Sequence, residues 1–410
     1  MLTTFIKKDR PGEDPIFALN QEASVRMKRG ESILNATIGV LLDDDGKLAI
    51  LPTAARIVSE VKEEEWAAYA PIAGNPDFLE AVKDDLLATH PAMRASAAAV
   101  ATPGGTGAVR HVISTFLEPG QALLTTSFYW GPYAILADEH QRRVETFEMF
   151  APNSDMSQIH LAALDRKLGD SMAAQGRAVI VINDPCHNPT GYSMSERDWR
   201  TAAEVIGRHA ERGLVAVLLD AAYAAYAPQG VSTALSALEP LLGRALLLIA
   251  WSASKTFTHY GLRVGALVAL VPDAHERGRV QAALGYACRG TWSNCSRGGM
   301  SAVTRLLHDA ALSAQIARER ATLVRLLGER VTVFNELARA KGLRYPRYDG
   351  GFFVTVFVDD AFAAAERAKE DGVFVVPLKG ALRVALCSVP AAQIPRLVDS
   401  LARACPSGPR

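Results

Sequence analysis

Short apolar runs alternate with longer amphipathic stretches through the middle of the chain. The runs occupy residues 98–102, 122–126, 178–182, 215–219, 245–250 and 266–271. Helix-like patterns lie between them, for example over residues 109–117 and 196–212. Continuous apolar runs separated by helices are typical of parallel strands buried on both faces of a sheet. The pattern predicts one large α/β domain over residues 45–300.

The pattern changes after residue 300. A long Ala-, Arg- and Leu-rich helical stretch covers residues 300–341, and alternating strand-like segments follow at 352–358 and 382–387. This combination predicts a smaller α+β domain over residues 301–410. The N-terminal segment, residues 1–44, is expected to form an arm and to join part of this smaller domain.

Composition narrows the class of protein. The chain has 410 residues, 49% of them hydrophobic, and Lys+Arg and Asp+Glu both count 44, so nucleic acid is not expected as a partner. The cysteines are scattered without a C-x-x-C pair, which predicts neither disulfides nor a metal site. No N-terminal signal-like stretch and no membrane-spanning run is visible, so we expect a cytoplasmic protein without membrane contact.

The most specific chemical signal follows the apolar run at 245–250. It reads Ser-Ala-Ser-Lys-Thr-Phe from Ser252, and Arg263 follows shortly after. Lysine is rarely buried unless it is chemically engaged, so we interpret Lys255 as an amine that forms a Schiff base with an aldehyde cofactor. Ser252, Ser254 and Arg263 would then bind a phosphate group. An exposed loop lysine is the alternative interpretation of this segment alone.

A carboxylate and a tyrosine follow the run at 215–219. Asp220 lies where open α/β sheets bind ligands, and a carboxylate there can keep a pyridine nitrogen protonated. Tyr223 can hydrogen-bond a phenolate oxygen. A helix-capping role for Asp220 is the alternative.

Two turns carry further candidates. In Asn-Asp-Pro-Cys-His-Asn-Pro-Thr-Gly at 183–191, Asn188 precedes a proline and is biased to extended backbone, so its amide can point into a pocket. The neighbouring Cys-His pair lacks a second pair at metal-ligand spacing. The Gly-rich turn at 102–108 follows a strand and opens a helix, a geometry that holds phosphate on backbone amides. Trp130 offers an aromatic face for stacking, although a core position is the alternative.

These motifs together resemble the fold-type I, class I aminotransferases, which use pyridoxal 5′-phosphate, and especially their aspartate and aromatic branch. The likeness covers nearly the whole chain and implies an α/β fold: a large domain with a mainly parallel seven-stranded sheet, plus a smaller α+β domain. It implies catalytic roles for Lys255, Asp220 and Tyr223. The residues implied to bind the cofactor are Gly104, Gly105, Thr106, Trp130, Asn188, Asp220, Ala222, Tyr223, Ser252, Ser254, Lys255, Arg263 and, from the partner subunit, Tyr69.

The resemblance also implies a homodimer with shared active sites. Residues 69–74 are similar to the segment whose tyrosine reaches the phosphate in the neighbouring subunit, and residues 14–16 resemble the start of an arm that embraces the partner. Arg383 matches the arginine that binds the substrate α-carboxylate, and Gly39 lies in a segment similar to the strand that closes over substrate. The residues implied to bind substrate are Gly39, Trp130, Asn188, Arg289 and Arg383.

Three positions depart from the pattern of this family. Arg289 resembles an arginine that binds the distal carboxylate of aspartate or glutamate from the partner subunit. However, residues 295–297 replace a usual Pro-Pro-x-His stretch, and Trp292 stands where tyrosine is common. Tyr133 stands where a histidine usually contacts the aspartate that pairs with the pyridine nitrogen. Dicarboxylic and aromatic substrates therefore both remain open.

The expected reaction is a ping-pong transfer of an amino group between an L-amino acid, aspartate/glutamate or aromatic, and a 2-oxo acid. A pyridoxal-phosphate-dependent lyase on the same fold is the alternative, because elimination and C–S cleavage need the same carbanion. A regulator that senses a ligand with this fold is a further alternative. Such a protein would carry an added DNA-binding module, which is not expected here because the predicted catalytic domain already includes Tyr69.

Overall fold

The structure is a computed structural model that describes residues 12–152 and 154–406. The first part of the predicted N-terminal arm, residues 1–11, lies outside the described residues. The strands are β1 (Leu34–Asn35), β2 (Ala97–Thr102), β3 (Ala122–Thr126), β4 (Arg143–Phe147), β5 (Arg177–Asn183), β6 (Leu214–Asp220), β7 (Leu246–Ser252), β8 (Gly265–Leu270), β9 (Val354–Phe357), β10 (Val373–Phe374), β11 (Val376–Leu378) and β12 (Ala381–Val384).

The α-helices outnumber the strands and vary widely in length. They are α1 (Pro15–Lys28), α2 (Pro52–Ser59), α3 (Glu63–Ala67), α4 (Pro76–Leu87), α5 (Pro91–Ala95), α6 (Gly104–Phe116), α7 (Pro132–Glu139), α8 (Leu161–Gln175), α9 (Glu196–Ala210), α10 (Ser232–Leu238), α11 (Ala253–Thr256), α12 (Ala274–Arg289), α13 (Arg297–His308), α14 (Ala310–Ala340), α15 (Ala361–Glu370) and α16 (Ile394–Ala404). Within the described ranges, no helix is both long enough and apolar enough to cross a bilayer.

The described chain divides into two compact units. The larger unit comprises residues 49–325 and 349–351, and the smaller comprises residues 12–48, 326–348 and 352–406. The predicted boundary at residue 300 thus falls at 325, because α13 packs against α2, α3 and α4 within the larger unit. The predicted single helical stretch over 300–341 is divided at Asp309, whose carboxylate accepts the amides of the first turn of α14.

A seven-stranded sheet forms the centre of the larger unit, in the order β2-β8-β7-β6-β5-β3-β4. Strand β8 runs antiparallel to both of its neighbours, and the remaining pairs are parallel. This confirms the predicted mainly parallel sheet, and the six apolar runs correspond to β2, β3, β5, β6, β7 and β8. Strand β4 was not predicted, because it is an edge strand whose Arg143 and Glu145 interrupt the apolar pattern.

Helices cover both faces of this sheet. On one face, α9 begins at a capping box formed by Ser195 and Asp198 and buries Trp199 and Ile206. On the other face, α6 buries Val112 among its apolar residues. Each fully buried aliphatic side chain of this kind contributes about 1.5–3 kcal/mol. The two-sided burial explains why the central strands are apolar along their whole length.

The smaller unit is built around an antiparallel sheet in the order β11-β12-β9, and β1 pairs in parallel with β10. Helix α16 buries Ile394, Leu397, Val398 and Leu401, which lie on one helix face at spacings of three and four residues. The predicted strand-like segments correspond to β9 and β12. Strands β1, β10 and β11 were not predicted, because two or three residues are too few to show an alternating pattern.

Candidate active site

Three neighbouring strands of the larger unit end in polar residues. Asn183, Asp220 and Ser252 are the last residues of β5, β6 and β7, and Asn183 and Asp220 are direct register partners. Because the strands are parallel, their carboxyl ends meet at one edge of the sheet, where open α/β sheets place ligands. A cavity of about 80 Å³ lies there.

Nearly all of the predicted cofactor-binding residues line this cavity. Its lining consists of Gly105, Thr106, Trp130, Asn183, Asn188, Asp220, Ala222, Tyr223, Ser252, Ser254, Lys255 and Arg263. Of the predicted cofactor residues, only Gly104 and Tyr69 are outside this lining. The three side chains predicted to be catalytic therefore converge, although they come from separate segments of the chain.

Lys255 lies on α11, the short helix that starts directly after β7. The hydroxyl of Ser252 accepts the amide of Ser254 at 3.2 Å and so begins this helix. Lys255 is half-buried, and its Nζ lies 5.4 Å from the centre of the Tyr223 ring and 5.8 Å from that of Tyr260. The half-buried position between two aromatic rings does not fit the alternative interpretation of Lys255 as an exposed loop lysine.

Asp220 is a buried carboxylate with two donors. The hydroxyl of Tyr133 donates to Oδ2 at 2.6 Å, and the amide of Ala222 donates to Oδ1 at 3.3 Å. Burial raises the pKa of Asp220 above its ordinary value, while these hydrogen bonds and the charge of Lys255 act to lower it. A buried carboxylate of this kind gains most from a cationic partner placed against it in the cavity.

Asn188 and Tyr223 both line the cavity and are hydrogen-bonded to each other, with Nδ2 of Asn188 donating to the tyrosine hydroxyl at 3.1 Å. Asn183 supports this arrangement: its Oδ1 accepts the amide of Asn188 at 2.7 Å, and its Nδ2 donates to the carbonyl of Asp220 at 2.8 Å. Asn183 was not among the predicted site residues. Its position at the end of a buried strand, the same signal that identified Asp220, could have found it.

The opposite end of the cavity is suited to an anion. Arg263 donates to the hydroxyl of Ser254 at 3.2 Å, and its backbone φ of 54° is in the left-handed region, which is strained for a residue with a side chain. Gly104 has φ of 71°, and a Cβ there would lie 2.5 Å from Nη2 of Arg263. Gly105 and Thr106 belong to the first turn of α6, whose free amides and helix dipole favour negative charge.

The larger unit therefore combines an amine, a buried carboxylate, an amide–phenol pair and an anion site around one cavity. Trp130 adds an aromatic wall. This set can hold a small phosphorylated aromatic ring with its polar atoms paired, next to an amine that can react with it.

The smaller unit holds two of the predicted substrate-binding residues in one cluster. Arg383, on β12, is 6% exposed; its Nη2 donates to the carbonyl of Thr37 at 2.6 Å, and its guanidinium lies 4.7 Å from the centre of the Phe353 ring. Gly39 packs against the same ring, because a Cβ there would lie 2.4 Å from Cζ of Phe353. Substitution of Gly39 would therefore displace this ring.

A second buried arginine hydrogen-bonds to chain segments next to this cluster. Arg330 is fully buried and donates to the carbonyls of Cys387 and Leu42 and to the carboxylate of Asp44, each at 2.8 Å. These acceptors lie in the chain segments that follow Arg383 and Gly39. Arg330 was not among the predicted residues, since nothing in a helical Arg-rich stretch distinguishes a buried arginine from an exposed one.

Arg289 and Tyr69, whose predicted roles require a partner subunit, lie on the surface of this chain. Arg289 ends α12, is exposed and donates to the hydroxyl of Ser293. Tyr69 is 87% exposed. Trp292 in the same loop as Arg289 packs on the ring of His111, with ring centres 4.4 Å apart. The roles of Arg289 and Tyr69 stay predictions.

Comparison with known proteins gives matches along nearly the whole chain. The family model described as aminotransferase class I and II matches residues 31–401. The tyrosine aminotransferase of Klebsiella pneumoniae is 26% identical over 93% of this chain and 95% of its own length. The aspartate aminotransferase of Salmonella typhi is 27% identical over 73% of this chain and 74% of its own length.

Solved structures agree with these matches. An aminotransferase from Anaerococcus prevotii superposes with a TM-score of 0.93 at 30% identity, covering 99% of this chain and 100% of that one. An aromatic-amino-acid aminotransferase from Burkholderia pseudomallei, crystallised covalently bound to pyridoxal phosphate, shares the fold with a TM-score of 0.81 at 21% identity, covering 98% of this chain and 100% of that one.

Proposed function

The chain belongs to the class I and II aminotransferases, and we propose that the cavity at the ends of β5, β6 and β7 is its active site. The protein is an enzyme that performs transamination with pyridoxal 5′-phosphate as its cofactor. One observation carries the assignment of the site: Lys255, Asp220, Tyr223 and Arg263 converge on one cavity from separate segments.

The side chains present fit the groups of this cofactor. Arg263 and the hydroxyl of Ser254, with the amides at the start of α6, suit the phosphate. The buried carboxylate of Asp220 suits the ring nitrogen, and the Asn188–Tyr223 pair suits the ring hydroxyl. When bound, the cofactor supplies an aldehyde for bonding to amines and an electron-withdrawing ring that stabilises negative charge at the substrate Cα.

Within this proposal, Lys255 has two tasks. With the cofactor bound, its Nζ would be the covalent attachment point, and the amine, when free, would accept the proton of the substrate Cα. Asp220 would pair with a protonated ring nitrogen. Two half-reactions, one with an amino acid and one with a 2-oxo acid, give ping-pong kinetics.

Substrate recognition is assigned residue by residue. We assign the substrate α-carboxylate to the buried guanidinium of Arg383, whose planar fork suits a carboxylate, and we assign Gly39, which packs on the neighbouring Phe353 ring, as a substrate contact. Trp130 and Asn188 contribute from the cavity wall. Relatives carry the names aspartate, tyrosine and aromatic-amino-acid aminotransferase. We therefore assign L-aspartate or L-glutamate, or aromatic L-amino acids, as the donors, with Arg289 as the ligand of a distal carboxylate.

A homodimer with shared active sites is part of the proposal. Tyr69, Tyr286 and Trp66 are 87%, 84% and 60% exposed in the single chain, which is unusual for large aromatic side chains and supports a covered surface. Tyr69 would then reach the cofactor phosphate of the partner subunit, and Arg289 the partner's substrate. The cysteines are free in the structure, which supports a cytoplasmic location.

The first test is an absorption spectrum of the purified protein with single amino acids added in turn. We expect a visible cofactor band that aspartate or glutamate removes, or that phenylalanine or tyrosine removes. The first result supports Arg289 as a carboxylate ligand, and the second assigns the pocket to aromatic side chains. Formation of the matching 2-oxo acid distinguishes transamination from elimination, which releases ammonia and pyruvate. Absence of the band even after added cofactor would contradict the proposed site.

Replacing the proposed attachment residue gives the largest loss. Lys255→Ala is expected to lower turnover by at least about 10³-fold, since both covalent attachment and proton transfer depend on this amine. The fold should be retained, as shown by circular dichroism and an unchanged Tm of the apoprotein. Lys167→Ala, at a surface position of α8 in the same unit, is the matched control and should retain full activity. Sustained transamination by Lys255→Ala would refute the role of this residue.

A further inference from the structure

A single buried tyrosine contacts two of the proposed cofactor-binding residues. Tyr133 lies in the first turn of α7 and is 1% exposed. Its hydroxyl donates to Oδ2 of Asp220 at 2.6 Å. Its ring meets that of Trp130 edge-on, with centres 5.5 Å apart and an interplanar angle of 90°. Its amide also donates to the carbonyl of Trp130 at 2.9 Å.

The contacts of Tyr133 leave its ring little freedom. Tyr129 stacks on it with ring centres 6.3 Å apart and an interplanar angle of 4°. The ring also belongs to the apolar core that α6 and the sheet form on this face. A fully packed ring with its hydroxyl bonded at 2.6 Å fixes the direction of the acceptor carboxylate, because moving the carboxylate would break a buried hydrogen bond.

We propose that Tyr133 is the positioning residue of the cofactor site, holding the Asp220 carboxylate and the Trp130 ring as one unit through a donor that does not titrate near neutral pH. This inference rests on the proposed function, which assigns Asp220 to the cofactor ring nitrogen and Trp130 to a face of the ring. The new element is that Tyr133 links the position of the Asp220 carboxylate to that of the Trp130 ring. The geometry of both is then independent of pH in the neutral range.

The charges around the pair support a constant protonation state. Burial and the neighbouring Asp220 raise the pKa of Tyr133 well above its ordinary value, and Tyr223 acts in the same direction. Lys255 is the cationic side chain that acts on Asp220. Tyr133 therefore keeps its proton throughout the neutral range. A histidine at this position would instead be able to change charge, at a pH set by its burial and by the facing Asp220, and would then alter the field at Asp220.

The test uses three variants and two readouts that do not depend on turnover. Tyr133→Phe removes the donor, Tyr133→His replaces it with a titrating one, and Tyr129→Phe is the matched control, which removes a hydroxyl from the stacked ring without touching Asp220. The readouts are the Kd of pyridoxal 5′-phosphate for the apoprotein and the pH titration of the absorption band of the bound cofactor.

We expect Tyr133→Phe to weaken cofactor binding by about tenfold or more, because loss of a hydrogen bond to a buried charged group has that size. Tyr133→His should add a spectral transition to the pH titration that the wild type lacks. Tyr129→Phe should match the wild type within about twofold in Kd and show the same titration, since the bond to Asp220 that sets the effect is kept.

Two results would overturn the inference. One is wild-type affinity together with a wild-type titration in the Tyr133→Phe variant, and the other is an equal loss in Tyr129→Phe, which would indicate a packing effect. If Tyr133→Phe does not fold, Tyr133→His carries the test through its extra transition, and absence of that transition counts against the inference. Failure of the wild type to bind the cofactor would instead contradict the proposed function itself.

Discussion

The proposed cofactor cavity of the larger unit and the Arg383 cluster of the smaller unit are built in different ways. In the cavity, Asp220, Ser252 and Lys255 lie at or just after the ends of buried strands, so each position is marked by its own stretch of sequence. The Arg383 cluster instead combines one strand residue with Thr37 and Phe353 from distant segments. The difference indicates that sites at strand ends can be identified from local sequence patterns, whereas a site assembled from distant segments cannot.

The two units also differ in the kind of charge that they bury. All histidines of the chain lie between residues 90 and 308, within the larger unit, and the smaller unit has none. The smaller unit buries guanidinium groups instead, those of Arg330 and Arg383. Guanidinium stays charged at every pH at which the protein folds, whereas buried imidazole is neutral and gains a proton in acid. The two units should therefore respond differently to pH.

Among the tests of this comparison, the largest expected effect separates substrate binding from cofactor binding. Arg383→Lys should lower kcat/KM for amino acids by about 100-fold, because a lysine lacks the planar fork that binds a carboxylate bidentately. The Kd of pyridoxal 5′-phosphate should stay within about twofold of the wild type. Arg344→Lys, at an exposed arginine of the same unit, is the control. Equal losses in kcat/KM and in cofactor affinity would break the distinction between the two sites.

Acid should destabilise the larger unit through its buried histidines. Burial lowers the pKa of His111 to about 4, whereas an unfolded histidine titrates near 6.5. Between these values the unfolded chain binds more protons, so stability falls as the pH drops from about 6.5 towards 4. This single group should cost roughly 2 kcal/mol between about pH 6.5 and 5.

The measurement is urea unfolding of the apoprotein at about pH 6.5 and 5, with the wild type and His111→Gln compared. The variant should lose less stability on acidification, while the exposed His275→Gln should behave as the wild type. Hydrogen exchange locates the effect: acid should loosen the larger unit first. Acid unfolding that begins in the smaller unit would contradict the contrast in buried charge.

The smallest expected effect concerns the residue that the sequence analysis missed. Asn183→Ala removes the oxygen that accepts the Asn188 amide and the amide group that donates to the Asp220 carbonyl. We expect about tenfold weaker cofactor binding, because both supported side chains lose their alignment. Asn335→Ala, which breaks a comparable bond to the Tyr348 carbonyl in the smaller unit, should leave the affinity unchanged. Equal cofactor affinity in the wild type and Asn183→Ala would show that the strand ends alone align the cavity.

Much of the larger unit was predictable because its signals are local. The apolar runs mark six of the seven strands, and the strand-to-helix junctions after them carry the residues that line the cavity. Edge strand β4 escaped because only its last residue, Phe147, is buried. The inward orientation of Arg330 escaped because it depends on partners far away in sequence, whereas the resemblance placed Tyr133 at the position that contacts Asp220 without showing that its hydroxyl donates to the carboxylate.

The sequence by itself determined which segments become buried strands and which reactive residues follow them, since burial of an apolar run depends mainly on the run itself. Only the tertiary structure decided that β5, β6 and β7 lie side by side, which brings Asn183, Asp220 and Ser252 to one edge. The order of strands in a sheet depends on long-range packing and chain connections rather than on the composition of each strand. For the same reason, the donation from the Tyr133 hydroxyl to Asp220 depends on the packing of α7 against the sheet.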